Sequence, residues 1–268
     1  MKNLSAMNFT LIMVLGLLLT SCLGCGGGGG DDACSSAKIS AKISEGESCS
    51  ANDSPVVRVV INNGAGSCSG TLISSTSVVT AAHCVKGART LDVEHAGATE
   101  SIQQAFFNAR YTTGVSAFDL AVIKVSDLFA IRVGAQPLPI LTSSFPERGD
   151  QLSISGYGVD ETGAINFNNL KAAFVTYIGV DRGLLVTEYN TGFALPGDSG
   201  GPLIDDNAIL GVFSGYTLEP QQNYFAYLHE ASNAQLLEQT TPDLTTASLG
   251  EVKKSSAIAI EWRPASID

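Results

Sequence analysis

Beyond residue 50 the chain is a succession of short apolar, largely β-branched stretches broken by turn-forming residues. Val56–Ile61, Val78–Ala82, Leu120–Val125, Leu152–Ile154, Leu184–Thr187, Ala208–Phe213 and Tyr224–Leu228 are separated by segments rich in Gly, Asn, Asp, Ser and Pro. β-Branched side chains pack well on a pleated surface and the turn residues supply reversals, so this spacing predicts an all-β chain, an antiparallel sandwich or barrel. Helical periodicity occurs only near Ala231–Gln239, where Ser232 or Asn233 could cap a short amphipathic helix. Of 268 residues, 44% are hydrophobic and 15% charged, enough apolar material for a core and too little charge for disorder. The 26 acidic against 15 basic side chains leave a net charge of −11, which excludes nucleic acid and anionic membrane surfaces as partners of the folded part.

The first 30 residues concern location. A polar start carrying Lys2 leads into the apolar run Phe9–Thr20. A bilayer span takes about 20 apolar residues, so this shorter run fits a secretory signal peptide over residues 1–21. Leu19-Thr20-Ser21-Cys22 resembles the lipobox of bacterial lipoproteins. The resemblance implies an acylated Cys22 at the mature N-terminus and an exported protein held by lipid at the bacterial outer membrane or cell surface. Cleavage without lipid, giving a periplasmic or secreted protein, is the alternative. Gly26–Gly30 reads as a flexible tether, and residues 22–42 as linker and propeptide.

Three segments carry chemistry. Val79-Thr80-Ala81-Ala82-His83-Cys84 sets a histidine at the end of an apolar run. Phe118-Asp119-Leu120-Ala121-Val122-Ile123 places a carboxylate at the mouth of a buried-looking strand, and Gly197-Asp198-Ser199-Gly200-Gly201-Pro202 sets a serine among glycines. Nucleophilic acyl transfer needs these three types: a hydroxyl that attacks, an imidazole that takes its proton, and a buried carboxylate that orients the imidazole. Glycines permit the tight turn and the close approach by which backbone N–H groups meet a developing oxyanion. His95 and His229 lie in no motif and read as surface or structural. No Cys, His and Asp cluster has metal-ligand spacing, so neither a metal nor a cofactor is expected.

Thr80-Ala81-Ala82-His83-Cys84 and Gly197-Asp198-Ser199-Gly200-Gly201-Pro202, in His, Asp, Ser order, resemble the signature strings of trypsin-like serine proteases. The resemblance covers residues 43–240. It implies two antiparallel six-stranded β-barrels, about 43–130 and 145–230, with the active site in the cleft between them, a short C-terminal helix, and an extension over 241–268. It further implies Ser199 as nucleophile, His83 as general base and then acid, Asp119 as orienter, and the N–H groups of Gly197 and Ser199 as the oxyanion hole. A polypeptide substrate and a monomeric enzyme follow from the same likeness. A non-catalytic binding module on this fold is the other reading, because fold alone does not decide activity.

Ile43-Ser44-Glu45-Gly46 is similar to the family's new N-terminus, which implies a zymogen cut after Lys42, with a cut after Lys38 as the alternative. The freed Ile43 amino group would then pair with Asp198. Among the six cysteines, the resemblance pairs Cys68 with Cys84, the bridge that braces the histidine loop. A Cys34–Cys49 bridge would span the cut and keep the anchor attached to the activated body; bridges from Cys25 to either one stay open. In the primary specificity pocket, Phe193 stands where trypsin-type enzymes carry Asp, and Ser214-Gly215-Tyr216 replaces the usual Ser-Trp-Gly wall. Asn223 falls where a pocket glycine is common. These differences predict little cleavage after Lys or Arg, a preference for small or apolar residues, and a separate activating protease for the cut at Lys42. Ala257–Trp262 reads as an extra strand.

Overall fold

Short strands with buried apolar faces account for most of the architecture. The computed structural model describes residues 47–48, 54–141, 145–159, 169–205, 207–244 and 263–264. In chain order the first strands are β1 (Glu47–Ser48), β2 (Val56–Ile61), β3 (Gly66–Ser74), β4 (Ser77–Thr80), β5 (Leu91–His95), β6 (Ala98–Ser101), β7 (Ala105–Phe107) and β8 (Ala121–Lys124). They continue as β9 (Gln151–Gly156), β10 (Lys171–Asp181), β11 (Leu184–Tyr189), β12 (Pro202–Asp205), β13 (Ala208–Leu218), β14 (Gln221–Tyr227) and β15 (Arg263–Pro264). Three helices, α1 (Ala82–Val85), α2 (Asp127–Val133) and α3 (Ala231–Thr240), complete the described elements.

The strands form two antiparallel sheets. One runs β15-β7-β8-β4-β3-β2-β5-β6 and the other β1-β10-β11-β14-β13-β12-β9. In the second, β9 pairs with both β12 and β10, so six strands close on themselves and leave no free edge. The two-residue β1 adds to that closed set at Lys171–Ala172. The first sheet exceeds the expected six because Ala96 and Gly97, at φ 46° and 82°, fold Leu91–Ser101 into the hairpin β5–β6, and because β15 joins β7. Two positive φ values at the centre of a two-residue loop match the twist of the strands they join.

β2 coincides with the expected stretch, β13 runs on past its own to Leu218, and β14 begins before its own at Gln221. β10, the longest strand with β13, went unnoticed in the sequence because its Gly179 bulge and polar alternation, Thr176 among them, dilute the apolar signal. α2 is a further element that the periodicity does not predict, though its ends are legible: the Ser126 Oγ accepts from the Phe129 N–H, and Gly134 closes it at φ 69°. For α3 the cap is Glu230, whose carboxylate accepts from the Ser232 and Asn233 N–H groups. Ser232 and Asn233 do not cap it, because the Ser232 hydroxyl also turns to Glu230 while the Asn233 amide donates to Ala117 O and Tyr227 O, each at 2.8 Å. The extra strand near the C-terminus lies at Arg263–Pro264; Ala257–Trp262 falls outside the described residues.

Candidate active site

His83 sits on α1, a single turn that starts where the fully buried β4 ends. The Cys68–Cys84 disulfide, with Cα atoms 6.3 Å apart, ties that turn back to β3. Asp119 precedes β8 and is completely buried. Three donors surround its carboxylate: Oδ1 accepts the His83 N–H at 2.9 Å, and Oδ2 meets His83 Nδ1 at 2.7 Å and the Ser214 hydroxyl at 2.7 Å. A buried carboxylate is costly unless donors meet it, and here they come from both halves of the fold. Facing Oδ2, the imidazole carries its proton on Nδ1, which leaves Nε2 as the acceptor. The side chain is 32% exposed, so that nitrogen can be reached from solvent.

The serine turn packs directly onto the histidine loop. The Ser199 carbonyl accepts the Ser69 N–H at 2.7 Å and lies 3.9 Å from Cys84 Sγ. Gly197 and Gly200 take φ of 96° and 84°, open to glycine and strained for other residues. The N–H groups of Asp198, Gly200 and Gly201 are used internally, by Leu195 O, Phe213 O and Asp198 O. Among the described residues no acceptor takes the N–H of Gly197 or of Ser199, so the two expected oxyanion donors are the pair left available in this turn. Ser69 braces the turn from the other sheet, a contact that no local signal in the sequence announces: its Oγ donates to Gly197 O at 3.0 Å and accepts the Tyr157 N–H at 2.8 Å.

Asp198 is buried beneath this turn, its Oδ1 accepting the Gly158 N–H at 2.7 Å and its Oδ2 the Leu195 N–H at 2.9 Å. Burial pushes its pKa up to about 6, against the pull of those two donors and of the Lys171 charge. A carboxyl whose folded pKa exceeds its unfolded value stabilises the fold fully below the unfolded pKa, and that stabilisation is lost as pH rises through the folded one. Asp198 should therefore lower stability by about 2 kcal/mol between pH 4 and pH 7. Urea unfolding at several pH values, with Asp198→Asn as the reference, measures this; equal slopes for the two proteins would contradict it.

Of the four residues expected to line the primary pocket, the structure leaves two partly exposed. The rings of Phe193 and Tyr216 approach with centroids 6.5 Å apart. Ser214 is instead committed to Asp119, and Asn223 is fully buried with its Oδ1 accepting the Ala194 N–H, so neither lines an open pocket. Gly215 packs against Val115, whose Cγ2 lies 2.4 Å from where a Cβ would stand. A cavity of about 300 Å³ opens beside Tyr216, between Val115, Phe118 and Tyr224.

Lys42, Ile43, Cys22, Cys34 and Cys49 lie outside the described residues. Ligand atoms of Cys68, His83 and Cys84 come within 4.8 Å of one another, but the two sulfurs are bonded together and offer no thiolate. His95 is buried and not a surface residue, while His229 stacks beside Tyr227 and meets Leu141 O.

Two antiparallel sheets that bring a buried aspartate, a histidine and a glycine-flanked serine together define the chymotrypsin-type fold. Solved structures with that fold match well: mouse neuropsin, a serine protease, at TM-score 0.57 and 20% identity, covering 71% of this chain and 95% of that one. The scabies mite inactivated protease paralogue S-I1 gives TM-score 0.58 and 19% identity, covering 74% and 99%. The Trypsin family model matches residues 43–235, and the chain belongs to that family. Among curated relatives, Serine protease 1 of Canis lupus familiaris is 32% identical over 197 residues, 65% of this chain and 78% of that protein. Trypsin II-P29 of Gallus gallus is 27% identical over 223 residues, 74% and 86%.

Proposed function

We propose that this protein is a serine endopeptidase that cleaves polypeptides through an acyl-enzyme formed on Ser199. The observation that carries the reading is the buried Asp119 holding His83 Nδ1 at 2.7 Å, next to a turn with two available N–H donors. In the first step the Ser199 Oγ attacks the scissile carbonyl while His83 Nε2 takes its proton; the imidazolium then gives that proton to the leaving amine. The Gly197 and Ser199 N–H groups face the oxyanion, each such donor lowering the barrier by about 3 kcal/mol. Water, deprotonated by His83, releases the acid. Export behind a signal peptide, a lipid anchor on Cys22, a Cys34–Cys49 bridge and activation by a cut after Lys42 belong to the same proposal. β1, four residues beyond Ile43, lies against β10 beside the Asp198 region, within reach of that pairing.

A fluorophosphonate probe and a peptide-library digest test it together. The activated protein should take one probe per chain, Ser199→Ala should take none, and cleavage should follow apolar or small residues, since no carboxylate stands at Phe193. The contrary results are no Ser199-dependent adduct, which would leave the binding-module reading that the altered pocket residues favour, or a digest dominated by cuts after Arg.

A further inference from the structure

Asp198 has a second source of positive charge inside the body of the chain. Lys171 opens β10 opposite Gly156, is 5% exposed, and donates from Nζ to the Gly158 carbonyl at 2.8 Å. The N–H of that same Gly158 is bonded to Asp198 Oδ1. The carboxylate rests on both glycines: a Cβ on Gly156 or on Gly158 would stand 2.4 Å from an Asp198 oxygen. The Gly158 peptide thus links the ammonium to the carboxylate, whose ionised form the Lys171 charge favours. Asp198 adjoins the Gly197–Ser199 turn, so whatever holds its carboxylate holds the two N–H donors too.

We propose that Lys171 is a positioning residue: its ammonium supports Asp198 so that the Gly197–Ser199 turn keeps its working shape before the bond between Lys42 and Ile43 is cut. The inference rests on the protease reading above. Cleavage then adds a second cation to a carboxylate that is already held, because a carboxylate has about four lone-pair positions and two N–H donors occupy only part of them. The uncut chain is a slower enzyme, not an inert precursor, and the cut raises activity by a modest factor.

The test compares full-length chains. One carries Lys38→Gln and Lys42→Gln so that it stays uncut; the other has residues 38–42 replaced by the recognition sequence of a processing protease and is cut before Ile43 on demand. Hydrolysis of a peptide substrate and fluorophosphonate labelling are read on both. The uncut chain should work within about tenfold of the cut one. Lys171→Met should lower kcat of the uncut chain by about 100-fold with KM little changed, the size of effect that loss of an oxyanion donor has. Cutting the Lys171→Met chain before Ile43 should restore it to within about threefold of the cut parent, a rescue that a merely structural lysine would not permit. Lys171→Gln, which can still reach the Gly158 carbonyl but has no charge, should fail in the uncut chain as Met does.

Several results would overturn the proposal. Uncut activity indifferent to Lys171→Met would do so, as would full activity of the Lys171→Gln chain, which would credit the hydrogen bond and not the charge. Loss that persists in the cut Lys171→Met protein would make the lysine structural. A dead uncut parent beside an active cut parent would reject the role of Lys171 and leave the protease reading standing. Silence of both parents toward the probe would reject the protease reading, and this proposal with it.

Discussion

Replacing Asp119 by Asn is expected to lower kcat by about 10⁴-fold while the fold and KM stay nearly unchanged. The substitution keeps volume and shape, so the buried site is neither emptied nor overfilled. What changes is the hydrogen-bond inventory. The aspartate presents only acceptors to three donors, the His83 N–H, the His83 Nδ1–H and the Ser214 hydroxyl. An amide offers one acceptor oxygen and an NH₂ group. If the oxygen stays on the backbone N–H of His83, the NH₂ faces Nδ1, and the imidazole must move its proton to Nε2. That nitrogen can then no longer take the proton of Ser199, and the imidazolium loses its counter-charge. Steady-state kinetics with a peptide substrate, beside thermal melting of both proteins, gives the result. A loss below tenfold in a folded variant would remove Asp119 from the proposed machinery.

Gly200→Ala is expected to leave no stable fold, with destabilisation above about 4 kcal/mol against total stabilities of about 5–15 kcal/mol. Gly200 has a φ of 84°, where an L-residue is strained by about 1–2 kcal/mol on its own. The surroundings are worse. A Cβ there would stand 2.2 Å from Ser69 O, 2.2 Å from Thr80 Oγ1 and 2.9 Å from Ala81 N. Two of these are backbone atoms in segments fixed by buried strands, and the third hydroxyl is bonded to Ser69 O at 2.7 Å. None can retreat without opening the seam between the serine turn and the histidine loop. Gly149 provides the control: its φ is 103°, yet nothing lies within 4 Å of the added Cβ, so Gly149→Ala should lose only about 1–2 kcal/mol. Urea unfolding of the two variants separates the strain from the clash; similar midpoints would refute the argument.

The sequence is most transparent where chemistry is local. His83 and Ser199 sit in short strings whose residue types are required by the turn that presents them, and Asp119 lies at the mouth of an apolar run; the fold sets Asp119 against His83 and packs the Ser199 turn on the histidine loop. Cys68 and Cys84 join as the family likeness implied. Legibility ends where a role depends on a neighbour remote in sequence. Ser214 reads as pocket wall, yet its partner is Asp119, 95 positions away. Asn223 reads as pocket lining until β14 buries it against Ala194. Lys171 is one polar residue between Leu170 and Ala172 and gives no sign of what lies opposite. Ser69 is similar: its bond to Gly197 crosses 128 residues. Such residues respond to packing between the sheets, and single-sequence periodicity reports only which face of a strand is apolar.

Ser69 comes from β3 in one sheet and binds Gly197 and Tyr157 of the other half; Ser214 comes from β13 and completes the donors around Asp119 of the first. Neither half holds a finished reaction centre. The proposed chemistry is a logical conjunction, true only after both sheets have folded and docked. A chain that is still emerging, or half unfolded in transit, carries every reactive side chain yet has no means of attacking its neighbours. On the proposed protease reading the seam would act as a timer, with proteolysis waiting for a folded product.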